Sequence, residues 1–307
     1  MPESAQPPTP TYDIPCLPAR EKAAHKGQVG RAVLIAGSRG MSGAACLAGL
    51  GALRGGAGLV RVLTPTSIQP IVAMSDPCLM SAPLPETETG YVARQAWPLM
   101  HDESLGWADA VGLGPGLGQS EDVALVATEV IRSFEGPLVV DADGLNNIAA
   151  EGAAVWLSRK DRCTVVTPHP GELGRLLRGA GLAELSGDSD EERLAAAHAY
   201  ACAAQVTVVL KGHRTVVCTP ERAYINTSGN PGMATGGMGD VLTGLLSALL
   251  GQGLNAFDAA RLGVYCHGLA GDHCARQIGP VGYLARDVAE MLPAALYEAS
   301  KTRMGFK

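Results

Sequence analysis

From Arg31 onward, short apolar runs alternate with longer helical stretches. AVLIAG at 32–37 and LVRVLT at 59–64 read as strands, separated by a small-residue helix at 42–55 (SGAACLAGLGALRG). AVGLG at 110–114 ends a further strand, and 121–133 is helical. PLVVDAD at 137–143 reads as a strand, followed by a short helix to about 150. TVVTP at 164–168 is a strand and 190–204 an Ala-rich helix. VTVVLKG (206–212), TVVCT (215–219) and RAYIN (222–226) form successive strands, before helices at about 238–251, 256–276 and 285–302. The stretch 65–108, with Pro at 65, 70, 77, 83, 85 and 98, has no single reading.

Strands alternating with helices predict an α/β fold: a mostly parallel central sheet with helices on both faces. Uniformly apolar strands suit burial on both sides. No fixed-period repeat or linker divides the core, so residues 21–307 are expected to form a single domain. Residues 1–20, with six Pro and few large apolar residues, read as an N-terminal arm.

Composition narrows the class. A content of 47% hydrophobic residues with a net charge of only -6 argues against disorder. No run approaches the roughly 20 apolar residues of a membrane span; Arg54 breaks the longest small-apolar run. The start of the chain has no basic n-region or apolar h-region, so no signal peptide is expected. Eight Cys without a CxxC pair read as reduced thiols of a cytoplasmic protein. The mildly acidic balance shows no basic stripe for nucleic acid.

Glycine changes the picture more. There are 39 in 307 residues, about 13% against a usual 7% or so. Twenty lie in three places: ten in 27–58, four in 112–118 and six in 229–244. Such clusters at strand ends and helix starts suggest backbone brought close to a ligand. No GxxxxGK[ST] is present, and the nearest GxGxxG match, Gly251, Gly253 and Ala256, follows a helix where the fingerprint follows a strand. In the third cluster, Gly236, Gly237 and Gly239 sit at a helix start, whose free N–H groups bind anions. Asp240 is either a favourable first-turn acid or a base for a hydroxyl that attacks phosphorus.

NTSGNPGMATGGMGDVLTG, preceded by GLGPGLG, VVDADGLN, TPHPGE and LKGHRT, resembles the ADP/ATP-dependent NAD(P)H-hydrate dehydratase family of the ribokinase-like superfamily. The likeness runs from about Gly27 to about Arg276 and is to the stand-alone form, without the epimerase domain fused in many relatives. The resemblance implies a lyase that uses ADP or ATP to dehydrate damaged NADH and NADPH, with Mg²⁺. Phosphorylation would turn the hydrate's hydroxyl into a good leaving group. Asp240 would then be the base, and the N–H groups of Gly237, Met238 and Gly239 would stabilise the transferring phosphoryl group. ADP is the expected donor.

The resemblance also places Lys211, Gly212, His213, Arg214 and Thr215 on the nucleotide, together with Gly239. A Lys at a strand end suits phosphate contact, although a hairpin turn explains the same pattern. Ala44, Gly116, His169, Asn146 and Asp240 are implied hydrate contacts. Asp141 and Asp143 either lie near a metal ion or cap the next helix. Asn226 and Asn230 are expected to hold the anion loop through Asx turns. Met238 departs from the small or β-branched residue of many members, and His213 and Arg214 are bulky for their segment.

Cys266, His267, His273 and Cys274 share a helix, but ligands two turns apart rarely converge on one ion, so core packing is the expectation. The competing function is a ribokinase-like kinase of a small alcohol such as a thiazole or pyrimidine vitamin precursor; a third class is a nucleotide-binding regulator. Small-residue helices at 42–55 and 256–276 suit packing between subunits. The resemblance implies a homotetramer, and a separate hydrate epimerase as functional partner.

Overall fold

The computed structural model describes residues 6–184 and 187–304. In chain order the strands are β1 (Pro10–Thr11), β2 (Arg31–Ile35), β3 (Leu59–Pro65), β4 (Met80–Leu84) and β5 (Ala110–Leu113). They continue with β6 (Leu138–Val140), β7 (Thr164–Val166), β8 (Thr207–Leu210), β9 (Val216–Cys218) and β10 (Ala223–Ile225). The helices are α1 (Ser42–Arg54), α2 (Gln69–Ser75), α3 (Ala96–Glu103), α4 (Glu121–Ser133) and α5 (Ala142–Ile148). After them come α6 (Pro170–Gly179), α7 (Asp190–Ala204), α8 (Met238–Gly251), α9 (Ala256–Gln277) and α10 (Ala285–Met304).

All the strands join one sheet, in the order β1-β10-β9-β8-β7-β6-β5-β2-β3-β4. From β4 to β8 every pairing is parallel, while β8–β9 and β9–β10 are antiparallel. Pro10 and Thr11 of the N-terminal segment add a parallel edge strand against Ala223 and Tyr224. Every residue of β5, β6, β7 and β8 is buried, because helices cover both faces. Val33 and Ile35 point into the layer with Val126 of α4, Leu173 of α6 and Ala197 of α7. The alternate positions Ala32 and Leu34 face α1 and α8, and Val139 and Val165 face α8 and α9.

The stretch 65–108 resolves into α2, β4 and α3. Its prolines fit because they fall where no ladder or helix donor is lost: Pro70 and Pro98 in first turns, and Pro83 on the edge strand β4. A further helix, α6, begins within TPHPGE. Its signal is Pro170 at the first helical position and a capping box between His169 and Glu172.

The small-residue faces of α1 and α9 are filled within the chain. A Cβ on Gly244 of α8 would overlap the Ala48 carbonyl oxygen of α1, and one on Gly51 of α1 would overlap that of Val241. On α9, Gly268 lies against Ser228 and Gly271 against Met233. Cys266 and Cys274 are buried core residues, and among the described residues no group of three or more His, Cys, Asp or Glu is placed to hold a metal ion. No described helix is long and apolar enough to cross a membrane.

Candidate active site

The carboxyl ends of β2, β5, β6, β7 and β8 open on one edge of the sheet, where doubly wound folds bind ligands. Asp141 follows β6, His169 and Glu172 follow β7, Lys211 follows β8, and the start of α8 lies across them. Gly237 caps α8 with φ +88, a left-handed conformation that disfavours other residues, and a Cβ there would also overlap Leu47. The first-turn N–H groups of Met238, Gly239 and Asp240 have no intrahelical acceptor. Free N–H groups at a helix start are a geometry that can receive an anion.

Lys211 sits beside this end. Its Nζ lies 2.5 Å from Asp141 Oδ1 and 3.8 Å from Glu172 Oε2. A Cβ on Gly239 would be only 3.4 Å from the same Nζ. Burial works against the ammonium, but Asp141, Glu172 and Asp240 outweigh it and hold the Lys211 pKa above its usual value. Asp141 is buried, and its second oxygen accepts a 2.7 Å hydrogen bond from Thr243 Oγ1. Glu172 is fixed by the α6 capping box: Oε2 accepts from the His169 N–H at 2.7 Å, and His169 Nδ1 accepts from the N–H groups of Gly171 and Glu172.

Asp240 is half-buried at the same place. Burial pushes its carboxyl up to about 7; Asp141 and Asp143 add to the rise and Lys211 opposes it. A carboxyl with that pKa is suited to proton transfer at neutral pH.

The five nucleotide candidates Lys211, Gly212, His213, Arg214 and Thr215 line a cavity of about 640 Å³, which reaches Met238 and Gly239. Arg214 has φ +54, and its Nε donates to Asp190 Oδ2 at 2.6 Å. The hydrate candidates lie outside this cavity, along the glycine loop 112–118 and the α6 start. Gly116 has φ +61, and a Cβ on it would be 2.8 Å from the Ala44 Cβ, so these two positions touch. Asn146 Oδ1 accepts from Arg175 Nε at 3.0 Å, and its Nδ2 donates to Asp143 Oδ1 at 3.4 Å. His169 exposes half its side chain.

Asp143 Oδ2 accepts the Gly118 N–H at 2.9 Å, so this acid ties the glycine loop to α5. Asp141 is committed to Lys211 and Thr243. The two acids therefore do not form a ready metal cage; Mg²⁺ is more often held by one or two carboxylates plus substrate phosphates and water. Asn230 makes the expected Asx contact, accepting from the Gly232 N–H at 3.0 Å. Asn226 does not: its Nδ2 donates to the Ser228 and Val264 carbonyls, and its Oδ1 accepts from the Tyr224 hydroxyl.

Sequence reasoning missed two supports of the site. Thr243, one helical turn beyond Asp240, fixes Asp141. Arg193, buried on α7, donates to the carbonyls of Leu210 and Lys211 at 3.3 and 3.2 Å and so shapes the turn that presents Lys211. Its signal was a cation on the apolar stripe of an Ala-rich helix.

Fold and site together define an α/β protein whose sheet edge joins an anion-binding helix start, a buried lysine and an acid with a raised pKa. The solved structures it is similar to have the same fold: a ribokinase-like superfamily protein from Enterococcus faecalis shares 25% identity at TM-score 0.76, over 92% of both chains. An ADP/ATP-dependent NAD(P)H-hydrate dehydratase from Bacillus subtilis, co-crystallised with ATP/Mg²⁺, is 30% identical at TM-score 0.78, over 92% of this chain and 95% of that one. The family profile for NAD(P)H-hydrate dehydratase matches residues 32–294, and the chain belongs to that family.

The bifunctional NAD(P)H-hydrate repair enzyme of Moorella thermoacetica is 44% identical over 91% of this chain and 52% of its own length. The chain thus spans about half the length of most of the curated relatives it matches. The ADP-dependent (S)-NAD(P)H-hydrate dehydratase of Neisseria meningitidis is 36% identical over 90% of this chain and 87% of its own.

Proposed function

We propose that this chain is a lyase that returns hydrated NADH and NADPH to the reduced cofactors, using ADP, or ATP, as phosphoryl donor. The observation that carries the reading is the placement of Asp240. It stands in the first turn of α8, beside Lys211 and Asp141, with its carboxyl pushed up to about 7. The cavity lined by Lys211–Thr215 reaches Met238 and Gly239 of that turn, and the glycine loop meets α1 where Gly116 packs on Ala44.

In this reading Asp240 takes the proton from the hydrate's ring hydroxyl as its oxygen attacks the terminal phosphorus. The P–O bond to the nucleotide breaks, leaving AMP from ADP. Lys211 and the N–H groups of Met238 and Gly239 offset the charge on the transferring phosphoryl group, which is where positioned donors act most strongly. The ring nitrogen's lone pair then expels phosphate, and loss of a ring proton completes the reduced nicotinamide. Hydroxide leaves poorly and phosphate leaves well, so the nucleotide removes the main barrier. Mg²⁺, in this reading, belongs to the nucleotide phosphates, and no step is routed through it.

The bifunctional names of the longer relatives, and the stereochemical (S) in the Neisseria name, support a partnership with a separate epimerase that interconverts hydrate isomers. Residues 21–307 are taken as one catalytic unit, acting in the cytoplasm as a homo-oligomer, a tetramer by family resemblance.

The test is direct. Purified protein is mixed with NADH hydrate and ADP or ATP, and recovery of reduced-nicotinamide absorbance is followed. Recovery with ADP is expected; no recovery with either nucleotide, joined to phosphorylation of a vitamin alcohol, overturns the reading in favour of a kinase.

A further inference from the structure

His267 of α9 lines the 640 Å³ cavity with 8% of its surface exposed. Its Nε2 is buried and meets no hydrogen-bond partner among the described residues. Thr215, Asn226, Ser228 and Asn230, which also line that cavity, are engaged within the protein. Thr215 Oγ1 donates to the Gly212 carbonyl, and Ser228 Oγ to that of Tyr265. Asn226 is engaged at both ends of its amide, as is Asn230. Of the buried side-chain atoms without a partner, His267 Nε2 alone belongs to a residue lining this cavity, among those described.

A buried polar atom without a partner is costly, and natural interiors rarely keep one for packing alone. Leu or Met would fill the same volume with no polar group to desolvate. Burial also pushes the imidazole down to about 4; a hydrogen bond between the ring and the Met238 backbone opposes the shift and Lys211 adds to it. The ring is therefore neutral at physiological pH, with one nitrogen that donates and one that accepts.

We propose that His267 is a nucleotide-contacting residue, whose Nε2 forms with the bound nucleotide the hydrogen bond that no protein group supplies. The inference rests on the cavity being the nucleotide site, as argued above. It gives α9 a role in binding, alongside the Lys211–Thr215 turn and the start of α8. Because the ring is neutral, it contributes direction and fit, while Lys211 contributes charge.

Two variants and one spectrum test it. In His267→Leu the protein without nucleotide should melt at or above the wild-type temperature, since an unpartnered polar group is gone. Its ADP dissociation constant, measured by titration calorimetry, should rise about tenfold, the worth of one hydrogen bond to a buried group. His267→Gln, which keeps a donor, should recover part of that affinity. In ¹⁵N spectra of the wild-type protein, the imidazole that stays neutral well into the acid range should shift its Nε2 resonance on adding ADP.

A His267→Leu protein that melts lower yet binds ADP within twofold of wild type assigns His267 to packing and overturns the proposal. An Nε2 resonance that ignores saturating ADP overturns it without any variant. Wild-type protein that binds neither ADP nor ATP removes the nucleotide reading itself, a failure distinct from the first two.

Discussion

Lys211 Nζ lies 2.5 Å from Asp141 Oδ1, joining the ends of β8 and β6 across the intervening β7. The contact places a positive charge under the first turn of α8, and Asp141 is itself held by Thr243 of that helix. Strand ends and helix start are thereby locked as one unit.

Removing one partner of a buried ion pair strands the other. Lys211→Met should lower unfolding free energy by about 3–5 kcal/mol, because Asp141 and Glu172 then face each other without a cation. It should also weaken ADP binding. Urea denaturation and calorimetric titration measure the two effects; a variant as stable as wild type would contradict the pairing.

Asp240→Asn removes the base and keeps the shape. Nucleotide affinity should stay within a few fold, while turnover of NADH hydrate falls about 10²–10⁴-fold, the usual span for a general base. Turnover near wild type would refute the assignment.

The raised Asp240 pKa fixes the direction of pH effects. Its carboxyl must be ionised to act, so kcat/KM should rise with pH up to a bend near 7. Stability runs the other way. The folded state holds this proton more tightly than the unfolded chain, so the group's contribution is complete below its ordinary value of 3.8 and is lost as pH rises towards about 7. Asp240→Asn should therefore raise Tm relative to wild type more at pH 8 than at pH 5, as thermal melts at the two pH values will report.

Gly244→Ala sets a methyl group against the Ala48 carbonyl oxygen of α1. Overpacking of this kind costs about 1–3 kcal/mol or more. Because α8 carries Gly239 and Asp240 in its first turn, the displacement should lower kcat as well as Tm. Wild-type melting with wild-type kcat would show that the helices yield without cost.

The inner strands were legible because they are short and largely apolar; β5 to β8 each fall within the run read as a strand, although the run 137–143 overshot β6 into the start of α5. The edge was less so, since β4 contains Pro83 and only its position at the sheet margin makes that proline acceptable. Within the site, the Lys211–Thr215 turn and the α8 start, both expected on the nucleotide from their motifs, line one cavity. The pairing of Asp141 with Lys211 was not legible. The two residues are 70 positions apart, and an acid at a strand end has the same local signature whether it meets a metal, a helix N-terminus or a lysine. Arg193 was hidden for a similar reason: beside its ion pair with Asp188, it supports the site through main-chain carbonyls, which carry no residue identity.

The glycine contact between α1 and α8 has a genetic consequence. Gly51 and Gly244 each face a carbonyl oxygen of the opposite helix, with no room for a Cβ. Every other amino acid carries one, so no missense change at either codon is conservative. Mutational tolerance should collapse at these two positions even though neither side of the contact touches a reacting atom, and a saturation library would map the seam as two columns of uniform loss.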